Sequence, residues 1–439
     1  MLLVGLVLAA AAATPACSQP LCHAETLRPY FEKLQGARSR GEGARPVHIL
    51  QIGDSHTAGD NITGGWRDLL QAQYGYGGRG VLPPGRPYAG FSAQGVTVNM
   101  SSGWLTKSTF GATSTEPRPP IGVSSYSLTS QVENATITLT AEPAQAFDRF
   151  VLCGLTGAGA GALTIRIGME ESEFNLSSFA ARPECREIEA DGAQTMVQIS
   201  AHGGPVTLTS WATFRDAGGV ALSNVGVVGS QFSHFGRTSD AVISEELRSY
   251  KPDLIVIAFG TNEGFAPRVA PGEYEIVLRS QIARVRRLVG NVPILMLGAP
   301  DANTRNTALA TNAPGAAVDC NSRTQTIEDI MATLRASEAT GEGTQTPLEP
   351  AYDPARRPLI IPPGLGLVRE IQRKVAAELN IAFWDWQARM GGPCAAARMV
   401  KAVPPLMRGD FVHFNKQGGW EIARMLQADL AAGAAAVDR

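Results

Sequence analysis

Two hydrophobic rhythms alternate along the chain. In its first and last parts, short unbroken apolar runs are followed by stretches with apolar residues at helical spacing. The first run is Val47-His48-Ile49-Leu50-Gln51-Ile52, and it stops at Gly53-Asp54-Ser55. Gly59 to Gln73 then reads as a helix, with Trp66, Leu69, Leu70 and Gln73 at helical spacing. The pattern returns after Ser223. Val225 to Val228 reads as a strand ending at Gly229, and Asp253 to Phe259 as one ending at Gly260-Thr261-Asn262-Glu263. Tyr274, Val277, Leu278, Ile282, Val285 and Val289 form a helical stripe; Ile294 to Leu297 and Ile381 to Trp384 are further strands. Gly364 to Leu379 and Lys416 to about Ala435 read as helices, the second with Asn415 placed to cap it. Apolar runs without alternation, separated by helices, predict a parallel sheet covered on both faces.

Between these parts the period changes to two. Ala135-Thr136-Ile137-Thr138-Leu139-Thr140, Leu163-Thr164-Ile165-Arg166-Ile167 and Val206-Thr207-Leu208-Thr209 alternate apolar and polar residues, with turn residues between the runs. That predicts an antiparallel sandwich interrupting the α/β unit. The glycine-rich loop from Tyr74 to Gly80 precedes no helix, so it routes the chain outward rather than cradling phosphate. The expected organisation is a leader over 1–20, an α/β unit split between 45–94 and 219–436, and an inserted β-sandwich over 95–218. From Pro300 to Pro363 runs a long polar segment rich in Pro, Gly, Thr and Ala, with Ile327 to Leu334 as a possible helix inside it.

Charge and cysteine usage narrow the setting. A formal net charge of −2 gives no reason to expect nucleic acid or an anionic membrane surface as partner. No apolar run is long enough to span a bilayer. Met1 to Ala13 is apolar and is followed by Thr14-Pro15-Ala16-Cys17, which reads as a secretory leader lacking its usual positive start. Cys17 directly after Ala16 also hints at a lipoprotein anchor, although Thr14 stands where such a box carries leucine. The expected location is the periplasm or cell envelope. Six cysteines with no Cys-x-x-Cys pair suit disulfides rather than structural zinc. Pairing by segment joins Cys153 with Cys185 and Cys320 with Cys394.

Candidate chemistry gathers at the strand ends. In open parallel sheets ligands bind outside the carboxyl ends of the strands. That rule collects Ser55, Gly229 and Asn262. Before the last helix stands Asp410-Phe411-Val412-His413-Phe414. An Asp three residues before a His can hold Nδ1 of the imidazole and leave Nε2 to take a proton from a serine. Among the six histidines only His413 has a carboxylate at this offset; His234 is a competitor by position, and His56 adjoins the serine with its side chain expected to point elsewhere. The backbone N–H groups of Ser55 and Gly229 and the side-chain amide of Asn262 would make three donors for a tetrahedral oxyanion. Each element also has an ordinary structural reading as a turn. Gly, Asp, Ser and Asn are common turn residues. Trp384 and Trp386, and Trp104, Tyr126 and Trp211 in the insert, could stack on sugars but suit core packing better. No metal constellation appears, and serine chemistry needs neither metal nor cofactor.

Gly53-Asp54-Ser55, Gly229, Gly260-Thr261-Asn262 and Asp410-x-x-His413, in that order, resemble the four blocks of the SGNH (GDSL-type) hydrolase superfamily. The resemblance implies a flavodoxin-like parallel sheet, Ser55 as nucleophile, His413 as base, Asp410 as its orienter, and Gly229 and Asn262 as oxyanion donors. The third block ends in Glu263 where Asp is commoner. Gly53-Asp54-Ser55-His56, Phe259-Gly260-Thr261-Asn262-Glu263, Phe383-Trp384-Asp385-Trp386-Gln387 with Met390-Gly391-Gly392, and Asp410-Phe411-Val412-His413-Phe414 are similar to the exported peptidoglycan O-acetylesterases. Those enzymes carry an inserted sandwich resembling a carbohydrate-binding module. The resemblance implies removal of O-acetyl groups from a cell-envelope glycan, with the muramic acid of peptidoglycan as substrate. Two alternatives stand beside it: an O-acetyltransferase of an exported polysaccharide using the same triad, and a non-catalytic glycan-binding protein on a retired hydrolase fold. Neither the oligomeric state nor sugar binding by the insert is legible in the sequence.

Overall fold

A computed structural model describes residues 17, 19–110, 120–321, 357–437 and 439. Most of the leader and the possible helix at Ile327 to Leu334 lie outside the described residues.

One sheet organises the α/β part. Its strands are β1 (Leu21–Cys22), β2 (Val47–Gly53), β3 (Val220–Gly226), β4 (Leu254–Ala258), β5 (Ile294–Leu297) and β6 (Ala382–Trp384). They lie in the order β1-β6-β5-β4-β2-β3. The last five are parallel, and β1 pairs antiparallel with β6 at the edge. In chain order the parallel strands stand second, first, third, fourth and fifth, the flavodoxin-like arrangement. The five parallel strands match the apolar runs read from the sequence. The strand read as starting at Val225 instead spans Val220–Gly226, so Val227 to Gly229 already belongs to the turn beyond it.

Helices α1 (Ser55–Ala58), α2 (Asn61–Tyr74), α3 (Asp240–Tyr250), α4 (Pro271–Val289), α5 (Pro363–Glu378) and α6 (Lys416–Val437) flank the sheet. Successive residues of a strand point to opposite faces. Val47 and Ile49 therefore join Trp66 and Leu70 of α2 and Ile422 and Leu426 of α6 in one core. Leu50 and Ile52 join Ile243 and Leu247 of α3, Leu278 and Ile282 of α4 and Val375 of α5 in the other. Asn415 caps α6 by accepting the Gly418 N–H at 2.9 Å.

The helix expected from Gly59 to Gln73 spans Asn61–Tyr74. Asp60 adopts a left-handed conformation (φ 53°) between α1 and α2. Its buried carboxylate holds this turn. It takes bonds from Arg67, Arg79 and the Gln94 N–H, each at 2.8–2.9 Å. Arg79 and Gln94 lie on the path towards the insert, so this carboxylate pins the chain where it leaves the α/β sheet.

The insert is a sandwich of two antiparallel sheets. One runs Glu170–Asn175, Ala162–Ile167, Met196–His202, Thr136–Ala141, Val96–Met100. The other runs Arg182–Gln194, Phe147–Thr156, Val206–Phe214, Tyr126–Ser130, Trp104–Ser108, with Gly80–Leu82 also pairing with Val206–Phe214. Ile137, Leu139, Ile165, Ile199, Phe150 and Leu152 fill the space between them. Tyr126 and Trp211 are buried, and Trp104 is half-buried with its indole N–H on the Thr136 carbonyl. These three rings are spent on packing.

The structure pairs Cys153 with Cys185 and Cys320 with Cys394, and also Cys17 with Cys22. The sulfur of Cys17 is thereby engaged in a disulfide. Among the described residues no helix is long and apolar enough to cross a membrane.

Candidate active site

Strands β3, β2 and β4 end side by side, with Gly226, Gly53 and Ala258 in register. Ser55, Gly229 and Asn262 each follow one of these ends. The approach is close. A Cβ on Gly226 would come within 2.6 Å of the Asp54 carbonyl and the Ala58 amide, so only glycine lets these two turns touch. The Val227 N–H donates to the Gly53 carbonyl at 3.1 Å, extending the contact past the strand end.

Ser55 opens α1. Asp54 caps this short helix, accepting the His56 N–H at 2.9 Å. As the first helical residue, Ser55 has an N–H with no acceptor inside the helix. Its hydroxyl is 2.9 Å from Nε2 of His413, 358 residues away in sequence. Nδ1 of His413 is 2.9 Å from Oδ2 of Asp410. Oδ1 of Asp410 accepts the N–H groups of Val412 and His413 at 3.0 and 2.9 Å. Partial burial alone would raise the Asp410 carboxyl; the two backbone N–H groups and the imidazole outweigh it and hold it below the usual carboxylate range. An anion kept at Nδ1 fixes the tautomer that leaves Nε2 free to accept a proton. Hydroxyl, imidazole and carboxylate thus stand in one line.

The two remaining blocks meet beside it. Gly229 has φ 78°, a conformation that favours glycine. One N–H of the Asn262 side-chain amide donates to the Ser230 carbonyl at 2.9 Å, which leaves its second N–H to point elsewhere. Gln231 returns a bond from Nε2 to the Asn262 carbonyl at 3.2 Å. The loop carrying Gly229 and the turn carrying Asn262 are laced together by side chains of both.

The other histidines have different work. His48 is a satisfied core residue, bonded to the Tyr250 carbonyl and the Ser223 hydroxyl; burial lowers its pKa to about 4. His234 accepts the Gln231 N–H at Nδ1. His56 points away from the Ser55 hydroxyl, as expected, yet it is not idle. Its ring lies buried between Asp54 Oδ1 (3.3 Å) and the Val412 carbonyl (3.0 Å). Burial opposes its charged form, but Asp54 and the Val412 carbonyl outweigh burial and raise its pKa. It therefore ties the serine turn to the His413 turn. Trp386 and Phe414 pack on it, and both Trp384 and Trp386 are core. No spacing rule singles out His56, because its partner lies 356 residues away.

Glu263 gains a role that its position alone did not show. It is buried; Oε1 accepts the Phe232 N–H at 2.8 Å and Oε2 has no partner. Burial, helped by the charge of Asp54 and opposed by nearby backbone N–H groups, pushes its pKa from 4.5 to about 7. Between these values the folded chain holds a proton that the unfolded chain releases. The stability contributed by the neutral carboxyl is complete below pH 4.5 and is lost as pH rises through about 7, a change of about 3 kcal/mol. Glu263→Gln has no such proton. The stability of wild type minus that of the variant, from urea unfolding, should fall by about that amount between pH 4.5 and 7.5. A difference that does not change with pH would reject a neutral Glu263.

The start of the long polar segment reaches the same rim. The Asn303 N–H donates to the Phe411 carbonyl at 3.0 Å, and Arg305 lies over the Phe411 ring at 5.8 Å.

Comparison with known proteins gives the family and the fold. The model of the GDSL-like lipase/acylhydrolase family matches residues 199–420, half of the chain. The chain belongs to that family. The match takes in Gly229, Asn262, Asp410 and His413; the insert separates the Ser55 turn from it. This GDSL-family chain is an SGNH-type esterase on a flavodoxin-like sheet with an inserted β-sandwich. Among solved structures it is similar to a peptidoglycan O-acetylesterase, at 22% identity over 95% of this chain and 100% of the other, with TM-score 0.69. A putative GDSL-like lipase from Parabacteroides merdae shares 16% identity over 48% of this chain and 73% of its own, TM-score 0.29. An acetyl xylan esterase shares 16% over 48% of this chain and 80% of its own, TM-score 0.28. The first shares its overall fold; the other two are too distant to weigh. No curated protein matches the chain.

Proposed function

We propose that this esterase is exported and removes O-acetyl groups from an envelope glycan, with acetylated muramic acid in peptidoglycan as substrate. The observation that carries the reading is the Asp410–His413–Ser55 line, with both links at 2.9 Å. Ser55 Oγ attacks the acetyl carbonyl as His413 Nε2 takes its proton, and Asp410 stabilises the imidazolium so formed. The oxyanion is received by the N–H groups of Ser55 and Gly229 and the second amide N–H of Asn262; one such donor is typically worth ~3 kcal/mol of barrier. His413 then protonates the departing sugar oxygen. The acetyl-serine left behind is cleaved by water through the same imidazole.

Three disulfides suit an oxidising compartment and support export. The substrate class rests on the likeness to a peptidoglycan O-acetylesterase along nearly the whole chain, insert included. In an acetyltransferase using the same three residues, a sugar hydroxyl would take the place of water.

The test is acetate release from O-acetylated peptidoglycan, acetylated xylan and a neutral aryl acetate, with transfer to an added glycan followed in parallel. The proposal expects release into water, fastest from peptidoglycan. Acetyl appearing on the added glycan in place of free acetate would favour the transferase. Absence of release, with no labelling of Ser55 by a sulfonyl fluoride, would favour a binding protein.

A further inference from the structure

The insert sends one aromatic side chain to the oxyanion loop. Trp104–Ser108 is an outer strand of the sandwich, and the chain beyond it runs to Phe110. This tip is held from both sides. The Thr109 N–H donates to the Ser125 carbonyl of the insert at 3.1 Å. The Thr109 carbonyl accepts Nη1 of Arg237, from the α/β part, at 3.0 Å. Phe110 N–H bonds the Ser108 hydroxyl at 3.2 Å. The ring so placed lies on the Gly229 loop. A Cβ on Gly229 would stand 3.0 Å from its Cζ, and its other neighbour is the His234 ring at 5.1 Å. Phe110 is 38% exposed, so it is not a core residue of the insert.

On the reading of Ser55, His413 and Gly229 given under Proposed function, the tetrahedral carbon has four substituents with separate places. One is Ser55 Oγ. The oxyanion faces Gly229 and Asn262. The departing oxygen must reach His413 Nε2. The acyl carbon takes the one remaining direction. We propose that Phe110, contributed by the inserted sandwich, is the wall that limits the acyl group to acetyl. Gly229 then serves two ends: its φ of 78° presents the N–H, and its missing Cβ lets the ring stand close enough to block a longer chain. The insert is thereby part of the ester site, whatever else it binds.

The test compares kcat/KM for 4-nitrophenyl acetate, butyrate and hexanoate in wild type, Phe110→Ala, Phe110→Leu and Leu105→Ala. Leu105 lies on the same outer strand, is largely exposed and serves as the control. In an apolar pocket each methylene admitted or refused changes the rate about tenfold or more. Phe110→Ala should raise the butyrate-to-acetate ratio at least tenfold, Phe110→Leu should raise it less, and Leu105→Ala should leave it unchanged. Should the alanine variant not fold, the leucine variant decides by the direction of its ratio. A uniform fall across all three esters would make Phe110 a structural prop and overturn the assignment, as would an unchanged ratio. Failure of the underlying reading looks different: wild type would then hydrolyse none of the esters in a Ser55-dependent way, and both proposals would fall together.

Discussion

Ser55→Ala is expected to lower kcat for an aryl acetate by about 10⁵-fold or more, the size of effect seen when a serine hydrolase loses its nucleophile. The donors around it would remain and would preserve only a small acceleration over water. Stability should barely change. The hydroxyl is half-buried and its bonded partner, Nε2 of His413, belongs to a side chain 34% exposed, so water can replace the lost bond. Initial rates and urea unfolding, measured on the same preparation, separate the two effects. A second substitution, His413→Ala, should add little to the loss, because the two groups act as a unit. A variant that kept about a hundredth of the wild-type rate would remove Ser55 from the chemistry.

Asp410→Asn tests the tautomer. The amide oxygen can still accept the N–H groups of Val412 and His413, so the turn should persist. Its NH₂ would then face Nδ1 of His413 where a carboxylate oxygen stands at 2.9 Å. Two donors cannot bond each other, and the ring would hold its proton on Nε2, the nitrogen that has to accept one from Ser55. The equivalent change in a fully buried triad costs about 10⁴ in kcat. Asp410 is 45% exposed at its side chain, so water shares its role and a loss of about 10³ is expected, with KM little changed. A variant within tenfold of wild type would show that Asp410 does not set the tautomer.

Much of this site is legible in the sequence, for a physical reason. A parallel sheet buried on both faces must be written as unbroken apolar runs, and its ligands must sit where those runs stop. Ser55, Gly229 and Asn262 stand at three such stops. Asp410 and His413 are legible because their pairing is local: three residues suffice for one carboxylate to hold two backbone N–H groups and the ring. The left-handed turn at Asp60 is not legible. It is held by Arg67, Arg79 and the Gln94 N–H, partners that fold back from further along the chain. The sixth strand, Leu21–Cys22, escapes the same reading because two residues carry no period.

What the sequence determined by itself is the set of local units: strands that end in turns, helices with one apolar face, a sandwich of alternating strands, and an acid–imidazole pair in one tight turn. Tertiary structure alone decided which of these units touch. Contacts between residues far apart in the sequence leave no local pattern. The 2.9 Å contact from His413 to Ser55, the His56 tie from Asp54 to the Val412 carbonyl, the bond from Glu263 to Phe232 and the Phe110 ring on Gly229 exist only because the sheet order brings distant strand ends together.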